Sequence, residues 1–171
     1  MAQDNTRINT VTKLLFVIYL LALCWILLFK LGVQFSYMEE RRVNLIPFNG
    51  AARISGEVIM NIIIFVPLGI YVGVLFKRWI SGTKIIFFFV SSFLFEAFQF
   101  IFKVGAFDIT DIISNTLGGL TGLLIFQVIS KLFSNTLKAQ HFINIIAATG
   151  TVLMMTLLLL LKLNILPVKY R

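Results

Sequence analysis

Long apolar runs alternate with short polar breaks along this chain. Five runs approach or reach the ~20 residues needed to cross ~30 Å of hydrocarbon: Leu14–Phe29, Val58–Phe76, Ile85–Phe102, Ile112–Ile129 and Phe142–Leu161. The pattern predicts an all-α fold, a multi-pass transmembrane helical bundle of about five helices forming a single membrane domain over residues 1–171. The longest connection, Lys30–Glu57, separates the first two helices. Within it, Val43–Gly50 mixes apolar residues with turn chemistry, since Pro47 fixes one dihedral and Asn49-Gly50 favours a turn. A plain exposed loop has no use for Leu45, Ile46 and Phe48, so this stretch is expected in the headgroup layer or folded back on the bundle.

Two glycine pairs predict close helix contact: Gly69 and Gly73 in the second run, Gly118 and Gly122 in the fourth. Small residues four apart let helix backbones approach. A hinge at Pro67-Leu68-Gly69 is the alternative, but Pro and Gly are ordinary in membrane helices and packing accounts for them better.

The polar interruptions carry more information than the apolar background. Asn61, Glu96, Gln99, Asp111 and Asn115 sit inside or at the ends of the runs, where burial in hydrocarbon is expensive and polar groups normally face a bundle interior or a wet cavity. If all five runs cross, Glu96 and Asn115 lie roughly 9 Å and 6 Å from one and the same face at a 1.5 Å rise per residue, and Asn61 is similarly deep from that side. Glu96, Gln99 and Lys103 fall at i, i+3 and i+7, and Asp111, Asn115, Gly118 and Gly122 at i, i+4, i+7 and i+11, so each set forms one helical stripe. The stripes are expected to face each other under a roof of Asn44–Phe48 and Phe107–Thr110. The candidate polar cluster is Glu96, Gln99, Asp108, Asp111, Asn115, Asn61 and Asn44.

Each member has a plainer reading. Asp108 and Asp111 suit the N-terminus of the fourth helix, where side-chain oxygens satisfy free amides and complement the dipole. Gln99 and Asn115 suit interhelical hydrogen bonds worth ~1 kcal/mol. Glu96 is harder to assign to structure, because a buried carboxyl either exchanges a proton or pairs with a cation, for which Lys103 and Arg53 are the nearest choices in sequence.

Composition narrows the class. The chain is 59% hydrophobic and 13% charged, about half the charged share of a soluble domain. Its formal charge of +8 does not signal nucleic acid, because the 15 Lys and Arg are scattered over every loop and both tails; they suit anchoring against lipid headgroups, so the expected partner is the bilayer. A lone Cys24 excludes an intrachain disulfide and suits packing, and a lone His141 argues against the usual zinc sites. No cofactor is predicted; carboxyl and amide oxygens would suit Mg²⁺ or Ca²⁺, but nothing in the spacing requires a metal. Arg7 and Lys13 before the first run resemble a leader, yet no small-residue cleavage site follows Phe29, which favours an uncleaved span. Basic residues divide 7 to 8 between the two faces. The density of Lys77, Arg78 and Lys84 in one tight loop tilts the orientation to N-terminus inside and C-terminus outside.

The residues from Asn44 to Gly122 also resemble the VanZ-like family of bacterial membrane proteins, named after a member associated with resistance to the glycopeptide antibiotic teicoplanin. The matching pieces are Asn44-Leu45-Ile46-Pro47-Phe48, Asn61 with Phe65-Val66-Pro67-Leu68-Gly69, Glu96-Ala97-Phe98-Gln99, and Phe107-Asp108-Ile109-Thr110-Asp111-Ile112-Ile113-Ser114-Asn115-Thr116-Leu117-Gly118-Gly119 with Gly122. Many relatives carry an arginine before the Asp-rich turn; here Lys103-Val104-Gly105-Ala106 occupies that stretch, and Lys lacks the bidentate fork. The resemblance implies a multi-pass protein of the bacterial cytoplasmic membrane affecting sensitivity to teicoplanin-like drugs; it implies no mechanism. Four functions remain open. They are an agent acting on glycopeptide or lipid-linked cell-wall precursor at the outer leaflet, an intramembrane enzyme on a lipid headgroup, a small transporter or flippase, and a helper subunit. No nucleophile elbow, P-loop or His-based motif selects among them.

Overall fold

The structure, a computed structural model, describes residues 2–29, 40–48, 56–133 and 135–162, and the side chains within them except at 2–5, 29, 157–159 and 161–162. The expected turn at Asn49-Gly50 and the cation Arg53 lie outside these residues. Five helices follow in order: α1 (Ala2–Phe29), α2 (Gly56–Leu75), α3 (Ser81–Ile101), α4 (Ile109–Leu132) and α5 (Thr136–Lys162). Among the described residues, four segments are long and apolar enough to cross a membrane: Thr6–Leu28, Gly56–Leu75, Ser81–Ile101 and Ile109–Leu132.

Every helix begins before its apolar run does. The largest differences are in α1, which starts at Ala2 rather than Leu14, and in α5, which starts at Thr136 rather than Phe142. Hydropathy marks where lipid begins, whereas a helix continues as long as its backbone bonds are made and its polar side chains find partners. Here the polar ends of the two helices satisfy each other. The Thr12 hydroxyl donates to Asn144 Oδ1 at 2.9 Å, and Gln140 Nε2 donates to Asn9 Oδ1 and Thr12 Oγ1, both at 2.8 Å. Thr12, Gln140 and Asn144 are all buried. Sequence reasoning missed this clamp, although Asn9/Thr12 at i, i+3 and Gln140/Asn144 at i, i+4 each mark one helical face.

The apolar core lies where α1, α2, α3 and α4 meet, around Leu23, Leu27, Phe65, Leu68, Val72, Phe88 and Leu123. The tightest seam joins α2 to α4. A Cβ added to Gly69 would collide with the Gly119 carbonyl, one at Gly122 with the Val66 carbonyl, one at Gly118 with the Ile62 carbonyl, and one at Gly73 with the Phe126 ring. Both expected glycine pairs therefore face this seam, backbone against backbone at Gly69, Gly118 and Gly122 and backbone against ring at Gly73. Gly119 joins them by making room for Phe88 of α3. Pro67 sits within α2, and the Tyr19 hydroxyl of α1 donates to the Ile64 carbonyl one turn before it at 2.8 Å.

Two short strands, β1 (Val43–Asn44) and β2 (Phe107–Asp108), pair in parallel with Val43 opposite Phe107 and Asn44 opposite Asp108. An all-α reading does not anticipate them. They attach the arm 40–48 to the start of α4: the Phe107 amide donates to the Arg42 carbonyl at 3.0 Å, and the Phe48 amide to Thr110 Oγ1 at 3.0 Å. Phe48 has φ 54°, a left-handed conformation that lets the chain turn after Pro47. The arm thus folds back on the bundle by its backbone, while Leu45 and Ile46 remain 65% and 61% exposed and face outward.

Candidate functional site

The C-terminal ends of α1 and α3, the N-terminal ends of α2 and α4, and the 40–48 arm gather at one end of the bundle, and six of the seven candidates are bonded there in three groups. In the first, Asp108 is held from three directions. As the N-cap of α4, its Oδ1 accepts the Thr110 amide at 2.7 Å, satisfying one of the helix's free donors. Its Oδ2 accepts from Asn44 Nδ2 at 2.9 Å, and its own amide donates to Glu96 Oε2 at 3.0 Å. Asn44 is fixed in turn, because its Oδ1 accepts the Ile46 amide at 3.2 Å. Glu96, on the last full turns of α3, is 2% exposed. A carboxyl of α3 and a carboxamide of the arm therefore grip the same residue at the head of α4.

Asp111 stands in the first turn of α4. Its Oδ1 accepts from Asn61 Nδ2 at 2.7 Å, tying α4 to the first turns of α2. In the third group, Asn115 Nδ2 donates to Ser92 Oγ at 2.9 Å, joining α4 to α3 one turn below Glu96. Asn115 is 1% exposed, and its Oδ1 has no hydrogen-bond partner among the described residues. Ser92 is not in the expected cluster. Its signal lies in the sequence, four residues before Glu96 on the same stripe.

Gln99 is placed apart from these groups. Its Nε2 donates to the Leu27 carbonyl at 2.7 Å, satisfying the end of α1. Its main-chain carbonyl accepts the Val104 amide at 2.9 Å while the Lys103 amide reaches Phe100 O at 3.3 Å, a pairing that closes a helix with the residue between in the left-handed region. That residue is Lys103, with φ 56°. The chain has therefore left α3 before Lys103, which is exposed and does not continue the Glu96 stripe. Arg41 of the arm covers this turn, donating to the Ile101 carbonyl at 3.4 Å with its guanidinium 5.6 Å from the Phe100 ring centre.

Chemically, the end offers a buried carboxyl, two half-buried ones and a spare amide acceptor, all on helix ends rather than loops. Among the described residues no three His, Cys, Asp or Glu side chains are grouped to hold a metal ion.

Known proteins carry the same stretch. The VanZ/LLP1 family model matches residues 16–131. Protein VanZ of Enterococcus faecium is 42% identical over 121 residues, which cover 68% of this chain and 74% of that protein. No solved structure matches the chain. The residues matched by the family model take in α2, α3, all but the last residue of α4, the 40–48 arm and every member of the polar groups, and leave out α5. The bundle end described above is thus built wholly from the part shared with relatives, and the chain belongs to the VanZ/LLP1 family.

Proposed function

We propose that this chain lowers bacterial susceptibility to teicoplanin-like glycopeptides by acting at the outer face of the cytoplasmic membrane, with the Glu96–Asp108–Asp111 end of the bundle as its working surface. Family membership supports the drug link. The observation that carries the choice of surface is Asn115: a buried amide oxygen left without a donor costs roughly 1–3 kcal/mol, and here the same side chain bonds Ser92, one turn from the buried carboxyl of Glu96. Such an acceptor suits a hydroxyl or amide N–H of a lipid-linked cell-wall precursor. Elsewhere at this end the polar groups are already engaged with one another, which favours recognition of a headgroup over its covalent conversion.

Expression in a sensitive Gram-positive host tests this reading. The wild-type chain raises the inhibitory concentration of teicoplanin several-fold. Glu96→Gln and Asn115→Leu return it to the host value at unchanged membrane abundance. No rise with the wild-type chain overturns the drug link, and full activity of both variants overturns the choice of surface.

One observation favours a second reading, an intramembrane enzyme on a lipid headgroup. Glu96 is buried while Asp111 is half-buried, so two carboxyls in unlike surroundings stand on neighbouring helices and suit a division into acid and base. Purified protein incubated with lipid-linked precursor and added Mg²⁺ or Ca²⁺ then yields a product of new mass; unchanged lipid by mass spectrometry rejects it.

A further inference from the structure

The opposite end of the bundle holds a separate feature. A groove of about 550 Å³ opens between the start of α1, the end of α4 and the first turns of α5. Its wall is apolar, made by Ile8, Phe133, Leu137, Phe142 and Ile145, and Lys138 and His141 border it. The volume is within the range of sites for small ligands. The clamp of Thr12, Gln140 and Asn144 holds α5 on α1, so two of the groove's sides are fixed before anything binds.

Charge selects the occupant. The three segments at this end, residues 1–13, 77–84 and 130–141, hold seven of the chain's 15 basic residues but only one of its 7 acidic ones, Asp4. Arg7 precedes the lining Ile8, and Lys131 lies two residues before Phe133. The acids of the polar groups are all at the other end. An apolar slot at the end of the bundle, with a lysine at its border in a field of net positive charge, suits a molecule with a greasy tail and an anionic head.

We propose that this groove binds an anionic phospholipid, one acyl chain lying along Leu137, Phe142 and Ile145 and the phosphate meeting Lys138. The site is independent of the drug-related reading, because it shares no residue with the Glu96 end.

Full-length protein purified in nonionic detergent and titrated with phosphatidylglycerol or phosphatidylcholine, read by native mass spectrometry, tests the site. Phosphatidylglycerol binds about fivefold more tightly, the preference expected of one well-placed lysine. Lys138→Glu removes the preference, whereas Lys84→Glu, on the same end but outside the groove, leaves it intact. Leu137→Trp, which fills the slot, weakens binding of both lipids; should that variant elute as aggregate, Ile145→Phe serves the same purpose. Equal binding of the two lipids overturns the proposal. So does an equal effect of Lys138→Glu and Lys84→Glu, which would reduce the preference to the general field of that end.

Discussion

Asp108 performs two tasks with one side chain, and substitutions separate them. One oxygen caps α4 through Thr110 and the other receives Asn44 of the arm. Replacing a capping Asp by Ala typically costs ~1 kcal/mol, and the lost Asn44 bond adds roughly 0.5–1.5 kcal/mol. Asp108→Ala is therefore expected to lower thermal stability in detergent by about 2 kcal/mol. Asp108→Asn retains the cap oxygen but turns an N–H toward Asn44 Nδ2, so it is expected to lose only the arm bond, roughly 0.5–1.5 kcal/mol, in the same melting experiment. A melt in which both variants fall equally would show that the cap to Thr110 adds nothing beyond the arm bond. At this scale the sequence is informative because a polar residue in an apolar run stands out: Asn44, Asn61, Glu96 and Asn115 are all legible as inward-facing. The partners are less so. Gln99 shares the spacing of Glu96 yet turns to the end of α1, and a stripe by itself does not say which neighbouring helix it meets.

At the scale of elements, the α2–α4 seam and the α1–α5 clamp solve the same problem by different means. Lipid offers no hydrophobic drive to bring helices together, so association rests on close packing and on interhelical hydrogen bonds. The seam uses packing, with glycine opposite carbonyl at three places. Gly122→Ala forces a methyl against the Val66 carbonyl and is expected to cost about 1–3 kcal/mol or more. Gly150→Ala in α5 meets nothing within 4 Å and is expected to gain a few tenths to 1 kcal/mol from helix propensity. Thermal melts of the two single variants check the opposite signs. The seam is readable because small residues four apart on an apolar helix serve mainly to admit a neighbouring backbone. The clamp is not, because Thr12 and Gln140 lie just before the apolar runs that begin at Leu14 and Phe142 and Asn144 at the start of the second, where polar residues ordinarily signal a membrane boundary. The paired strands escape for a different reason: two residues a side carry no periodicity, and their partners are 64 positions apart in sequence.

For the whole molecule, alternation of helix direction is the organising rule. The expected convergence of Glu96, Asn61 and Asn115 on one side follows from helices that reverse direction at every connection, and the bonded groups lie at one end of the bundle as that counting requires. On the orientation expected from the basic loop, N-terminus inside, this end would meet the outer leaflet and the cationic end the inner one. A C-terminal alkaline phosphatase fusion is then active in bacteria, and a fusion within the 77–84 loop inactive; the reverse pattern would invert the molecule and remove the outer-leaflet argument. A seam with no spare room also dictates how the molecule can breathe. The backbones of α2 and α4 already touch, so parting them would break the tightest seam of the bundle. On the proposed reading, access to Asn115 would come elsewhere, by peeling back the short parallel ladder at Val43 and Phe107 or by swinging α3 outward. A headgroup would thus enter sideways from the lipid sheet, past the greasy fringe of Leu45 and Ile46, rather than descend from the water above.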